Sequence, residues 1–122
     1  MEYEITWGES HFDAEIRGSV SLEEAVALVG EILQSPNYFE GIGAVYDVSM
    51  ADLSDFSVEN VISLSETILE VLEVGKHSRV AFVSTRDLNL VLLRFFRVAY
   101  KGSKKVFNVF DSMEGARKWL VE

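Results

Sequence analysis

Residues 11–34 read HFDAEIRGSVSLEEAVALVGEILQ, and the spacing of their apolar side chains changes at Ser21. Before Ser21, apolar and polar residues alternate, which predicts a β-strand with one face in water. After it, apolar residues recur at helical spacing, and Ser21 with Glu24 has the form of a capping box. The predicted helix ends near Gln34 because Pro36 follows. A strand that leads into a helix indicates an α/β fold.

The chain continues this pattern on both sides. Residues 1–18 alternate around a turn at residues 8–10, which predicts a hairpin. Three strand–helix pairs then follow: 44–48 with 58–74 (closed by Gly75), 79–84 with 87–100 (closed by Lys101-Gly102), and 105–110 with a helix from an Asp111 cap to Val121. The predicted order is β-β-α-β-α-β-α-β-α. Because strands joined through helices run parallel, we predict a mostly parallel sheet with an N-terminal antiparallel hairpin.

Length and composition exclude several classes of protein. With 122 residues, 48% hydrophobic and 25% charged, the chain has the composition of one folded domain, 1–122. The lack of cysteine excludes disulfides, thiol catalysis and thiolate zinc sites. A net charge of −9 argues against nucleic-acid binding. The acidic start is unlike a signal peptide, and no apolar run is long enough for a transmembrane segment, so a cytoplasmic protein is expected.

Charge is unevenly distributed along the chain. Residues 1–75 hold sixteen acids and one base, whereas residues 76–122 hold ten bases and four acids. Helical spacing places the acids on one face of the helix 58–74 and the bases on one face of the helix 87–100. The acids are Glu59, Glu66, Glu70 and Glu73, and the bases are Arg86, Arg94, Arg97 and Lys101, extended by Lys104 and Lys105. Three interpretations are open: solvated faces, stripes that meet within one chain or across a dimer, and an anion patch at Arg86, Arg94, Arg97 and Lys101.

The helix 87–100 has more apolar residues than one sheet can cover. Its core face is predicted at Leu88, Val91, Leu92, Phe95 and Ala99. Outside that face remain Leu90, Leu93, Phe96 and Tyr100, and the helix 58–74 adds Leu64 and Val71. Leaving such side chains in water is unfavourable, which favours a partner or ligand. These six residues are predicted to form a homodimer or partner interface or an apolar ligand groove, unless neighbouring helices cover them.

Few residues suit catalysis. His11 and His77 lack a second ligand at metal-binding spacing and are predicted to lie at the surface. Gly41-Ile42-Gly43 precedes a strand and is interpreted as a turn. Polar residues gather at the carboxyl ends of the parallel strands, where α/β sheets bind ligands, although helix caps use the same residue types. They are Asp47, Ser49, Ser84, Thr85, Arg86, Asp87, Asp111 and Ser112. No catalytic residue, metal site or cofactor is predicted.

One segment carries a family resemblance. Val45-Tyr46-Asp47-Val48-Ser49 is followed seven residues later by Phe56-Ser57-Val58. With the element order, this resembles the STAS domains, in particular the SpoIIAA-like anti-sigma-factor antagonists, a fold also compared with lipid-binding Sec14/CRAL-TRIO domains. In the antagonists the second serine of Asp-Ser-Ser-Gly is phosphorylated by a partner kinase. Asp55 and Ser57 match that motif, whereas Phe56 and Val58 replace its first serine and its glycine. The resemblance implies Ser57 as a phospho-acceptor, and a helix N-cap is the alternative role.

These observations together predict a non-enzymatic, cytoplasmic interaction or regulatory domain of SpoIIAA-like fold. It is expected to self-associate or to bind a protein partner through the helices 58–74 and 87–100. The alternative is a carrier or sensor of a small apolar, lipid-like ligand held beneath those helices.

Overall fold

The computed structural model describes residues 1–74, 76–103 and 105–122, in which strands and helices follow the predicted order. The elements are β1 (Glu2–Trp7), β2 (His11–Ser19), α1 (Leu22–Gln34), β3 (Ile42–Asp52), α2 (Val58–Glu73), β4 (His77–Val83), α3 (Asp87–Ala99), β5 (Phe107–Phe110) and α4 (Met113–Leu120). The β-β-α-β-α-β-α-β-α order is therefore confirmed. Gly75, the predicted end of a helix, and Lys104, a predicted member of the basic stripe, lie outside the described residues.

The strands form one five-stranded sheet in the order β1-β2-β3-β4-β5. β1 and β2 pair antiparallel as a hairpin, and the pairs β2–β3, β3–β4 and β4–β5 are parallel. The prediction of a mostly parallel sheet with an antiparallel N-terminal hairpin is confirmed.

Helix starts follow local capping signals. At α1, the Ser21 hydroxyl accepts a hydrogen bond from the Glu24 N–H (3.1 Å) and the Glu24 carboxylate accepts one from the Ser21 N–H (3.1 Å), so the capping box is confirmed. At α4, the hydroxyl of Ser112 accepts the Gly115 N–H at 3.1 Å. The prediction that Asp111 caps this helix is wrong, because the helix begins at Met113 and the residue directly before it supplies the cap.

The helices cover the two faces of the sheet unequally. α1, α2 and α3 pack on one face over a large core that includes Phe12, Ile32, Ile68 and Phe107. α4 packs on the other face, where Ala116 lies against Val45, Ala81 and Val83. The β1–β2 part of that second face stays open to water, which explains the alternation of apolar and polar residues near the N-terminus.

β3 is longer than predicted, with eleven residues where the sequence predicts a strand only over 44–48. Beyond Asp47 it leaves β4 and pairs only with β2, through Arg17–Met50 and Ser19–Asp52. The sequence does not predict this tail. It pairs along one edge only and its Met50 side chain is exposed, so it lacks the continuous apolar run of a buried strand.

α3 packs on the sheet with the side opposite to the predicted one. Phe96 lies between Phe82 and Phe107, with ring centroids 5.3 and 5.2 Å away. The predicted core residues Leu88 and Val91 are exposed instead. The prediction failed because nine of the thirteen residues of α3 are apolar, so helical periodicity does not distinguish an inner side from an outer one.

All six residues predicted to form an interface or ligand groove are buried in the core, with exposures of 9% or less. They are Leu64, Val71, Leu90, Leu93, Phe96 and Tyr100. Neighbouring elements cover them: α2 packs between α1 and α3, and the Tyr100 ring stacks on Phe107 at 4.8 Å. The prediction that these side chains form an exposed contact surface is therefore wrong.

Candidate functional site

The outer side of α3 carries four large apolar side chains in water. Leu88, Val91, Phe95 and Val98 are 40 to 78% exposed, and their spacing of three or four residues places them on one side of the helix. Two exposed residues at the start of α2 extend this surface. The α2–α3 face, as used below, consists of Val58, Ile62, Leu88, Val91, Phe95 and Val98.

A groove of about 560 Å³ opens within this face, between the start of α2 and α3. Its apolar walls are formed by Leu53, Phe56, Val58, Leu88, Val91, Leu92 and Phe95. Polar residues from the region where β3 ends and α3 begins complete the lining: Asp52, Ser54, Arg86 and Asn89. Its mainly apolar walls with a few polar groups resemble the lining of a binding site, and its length follows the exposed side of α3.

Two side chains at the start of α3, one from its N-cap residue and one from its first turn, hold the tail of β3 beside this groove. The buried Asn89 Nδ2 donates hydrogen bonds to the carbonyl oxygens of Val48 (2.9 Å) and Ala51 (3.1 Å). Arg86 Nη1 donates to the same Ala51 oxygen at 3.2 Å. Hydrogen bonds from Ser54, together with the Arg86 charge, lower the pKa of Asp52. These hydrogen bonds hold the groove wall in place. The spacing of apolar residues does not predict them, because the main donor is the buried amide of Asn89.

Charged residues flank the α2–α3 face with opposite signs on its two sides. The acids Glu59, Glu66, Glu70 and Glu73 are exposed along the outer side of α2, as predicted. Arg94 and Lys101 are exposed and Arg97 is half-buried on and just beyond α3. Arg86 is exposed at the start of that helix, and the anion patch at these four residues stays a prediction. Lys105 is also exposed.

Ser57 lies at the surface as the N-cap of α2. Its hydroxyl accepts a hydrogen bond from the Asn60 N–H at 3.1 Å, and the Asn60 side-chain oxygen accepts one from the Ser57 N–H at 3.3 Å. The structure thus gives Ser57 the capping role considered as its alternative. Phosphorylation of its exposed hydroxyl stays a prediction.

The polar residues at the carboxyl ends of the strands are used mainly in turns and caps. The Ser49 hydroxyl accepts a hydrogen bond from the Thr85 N–H (3.0 Å), and the Ser84 hydroxyl accepts one from the Arg86 N–H (3.0 Å). Asp47 accepts the Ser49 N–H at 3.0 Å. In residues 1–74, 76–103 and 105–122, no three histidine, aspartate or glutamate side chains are placed to hold a metal ion.

His77 is buried, so the prediction that it lies at the surface is wrong. Its ring is edge-to-face with Phe12 (5.5 Å), and its nitrogens lie 3.3 and 3.4 Å from the hydroxyls of Tyr38 and Tyr46. Burial lowers its pKa, although the Lys76 backbone partly opposes this. The predicted strand begins at residue 79 and leaves His77 in a turn, whereas β4 begins at His77 itself, which pairs with Ile42 of β3. His11 is half-buried, with Nε2 3.4 Å from Asp13.

The open part of the second sheet face forms a separate concave surface of about 300 Å³. Four carboxylates line it: Glu4, Asp13, Glu15 and Asp47. Arg117 from α4 donates a hydrogen bond to Asp13 at 2.8 Å and partly neutralises the group. This surface is polar and shares no residue with the α2–α3 face.

Comparison of the chain with models of protein families and with curated proteins found no match. Within the part of the chain that the structure describes, none of the helices has the length and apolarity needed to cross a lipid bilayer.

Proposed function

We propose that this chain is a non-enzymatic, cytoplasmic regulatory domain of the SpoIIAA-like STAS type, which binds a protein partner through the α2–α3 face. The observation that carries the proposal is the outer side of α3. A helix with large apolar side chains on both its inner and its outer side is typical of one that is covered on both, and here the sheet and α2 cover only the inner side. Covering one side chain of this size contributes roughly 1.5–3 kcal/mol, so binding at this face is favourable.

The position of Ser57 supports a regulatory role. Ser57 is exposed directly before Val58, a member of the α2–α3 face, and Glu59 follows. A phosphate there would add about −1.5 to −2 charge beside an acidic helix. That charge would repel an acidic partner surface and add an attraction for a basic one, so modification of Ser57 would change which partner surfaces bind.

The groove also favours a second candidate, a carrier or sensor of an apolar ligand, because its walls are apolar and its size is adequate. The space beneath the helices is much smaller, with cavities of about 60 and about 30 Å³ against the roughly 300–1,000 Å³ of a typical ligand pocket. A ligand would therefore have to lie in the open groove with one side in water. A protein surface covers such a groove together with Val98 beyond it, and we favour the protein partner for that reason.

Photo-crosslinking tests the proposal with a matched pair of positions. Val98 in α3 is 78% exposed and Val121 after α4, on the other side of the sheet, is 73% exposed. Benzoylphenylalanine at position 98, in the cells that make this protein, is expected to yield a discrete protein adduct. The same residue at position 121 should yield little, and Phe95→Glu should abolish the adduct at position 98.

The outcomes separate the candidates. Equal crosslinking from positions 98 and 121, or an adduct that persists in Phe95→Glu, would refute the protein-binding face. Native mass spectrometry of freshly purified protein provides the second measurement. A small molecule that remains bound to the wild type and is absent from Phe95→Glu would favour the carrier instead.

A further inference from the structure

We infer that the partner which fits the α2–α3 face is a second copy of this chain, related to the first by a two-fold axis that runs along α3. The inference rests on the proposed function, since it names the partner of the same face. It is carried by the order in which acidic, apolar and basic side chains cross this surface.

α2 and α3 lie side by side and run in the same direction. At their starts, Val58 and Leu88 line the same groove. At the other end, the Leu69 side chain lies against Gly102, just beyond the end of α3: a Cβ atom built on that glycine would be 2.7 Å from Leu69 Cδ1. Residues about equally far from the starts of α2 and α3 therefore lie beside one another.

Helical geometry, at 100° per residue, orders the side chains across these two helices. On α2, the exposed acids lie on the side of the helix opposite the buried Val61, Leu64 and Ile68. Val58 and Ile62 lie between those acids and α3. On α3, Leu92 faces the groove, and Arg94 lies on the opposite side of the apolar stripe. The surface thus runs from an acidic edge through the apolar α2–α3 face to a basic edge.

This order is self-complementary under one symmetry. A two-fold axis in the interface, parallel to α3, places the acidic edge of each copy opposite the basic edge of the other and stacks the two apolar stripes. An axis across the helices would instead oppose acid to acid and base to base. The covered apolar stripe supplies affinity, whereas exposed ion pairs bind weakly and mainly select the orientation.

Sedimentation velocity across a concentration series tests the inference on the full chain. Wild type is expected to dimerise reversibly. Glu66→Lys and Arg94→Glu each create two like-charge contacts in the symmetric dimer, because each pairing occurs twice, and are expected to weaken dimerisation by about tenfold or more. Both side chains are exposed near the middle of their helices, so the variants should fold like the wild type.

Mixing the two variants gives the sharpest outcome. In the mixed dimer Lys at position 66 of one copy meets Glu at position 94 of the other, while native Arg94 and Glu66 meet on the second side. The mixture is therefore expected to dimerise more tightly than either variant alone. Glu9→Lys in the hairpin turn and Lys118→Glu on α4 make the same charge changes at exposed positions away from the face, and should leave dimerisation unchanged.

Two results would overturn the inference: wild type that stays monomeric at every concentration, or a mixture that associates no better than its separate components. If the adduct at position 98 contains a different protein and the wild type is monomeric, the partner is not a second copy. The proposal that the α2–α3 face binds a protein would still hold. Loss of both the adduct and the dimer would refute the proposed function as well.

Discussion

The two sides of α3 have similar apolar content and opposite surroundings. On the inner side, Leu93 and Phe96 are buried against the sheet around a hydrogen-bonded Asn89. On the outer side, Val91 and Phe95 stand in water. The comparison shows that apolar character alone does not decide which side of a helix faces the core. The sheet packs against the side that carries Phe96 and the Asn89 amide, and the other side stays exposed.

Truncating one phenylalanine on each side provides the largest expected contrast. Phe96→Ala should lower the free energy of unfolding by about 3–5 kcal/mol, because it leaves a cavity between Phe82 and Phe107. Phe95→Ala, the adjacent control, should cost about 1 kcal/mol or less because its side chain is already partly in water. Urea unfolding of dilute protein measures both. Similar losses for the two variants would mean that the sides of α3 do not differ as described.

The buried amide tests whether the inner side depends on polar contacts as well as packing. Asn89→Ala should cost about 2–3 kcal/mol, because the carbonyls of Val48 and Ala51 lose a buried donor. Asn37→Ala, at an exposed turn, is the control and should change stability by less than about 0.5 kcal/mol. If Asn89→Ala lowers the free energy of unfolding only slightly in the same urea titration, packing alone determines which side of α3 faces the core.

His77 extends the comparison to charge on the buried side of the sheet. Its folded-state pKa is lowered by burial from the usual 6.5. Above that value both folded and unfolded chains hold it neutral, and stability is fully present. As pH falls below about 6.5, the unfolded chain takes up the proton first, so up to about 1.4 kcal/mol of stability is lost per pH unit. Urea unfolding at several pH values should show this loss in wild type and a smaller one in His77→Gln.

Equal pH dependence in wild type and His77→Gln would contradict the burial argument for this histidine. The His77→Gln variant serves as the reference because carboxylates also contribute to acid unfolding. Taking the difference cancels their contribution and leaves that of His77.

Much of the architecture could be predicted from the sequence because its signals are local. Alternation in β2 and the capping box at Ser21 act over a few residues, and the order of strands and helices follows from them. The six residues predicted to form an interface or ligand groove lie in the core instead. In α3 apolar residues lie on both the inner and the outer side, and a buried amide such as Asn89 is uncommon and is not expected from apolar spacing.

The sequence by itself determined the order of elements, the parallel sheet and the segregation of acidic from basic residues, since period, caps and charge are properties of neighbouring positions. Only the tertiary structure decided which side of α3 is covered, where the tail of β3 goes and that His77 is buried. Those outcomes depend on how side chains distant in sequence fit together: Phe96 between Phe82 and Phe107, and Asn89 against the carbonyls of β3. Complementarity of this kind has no period along the chain.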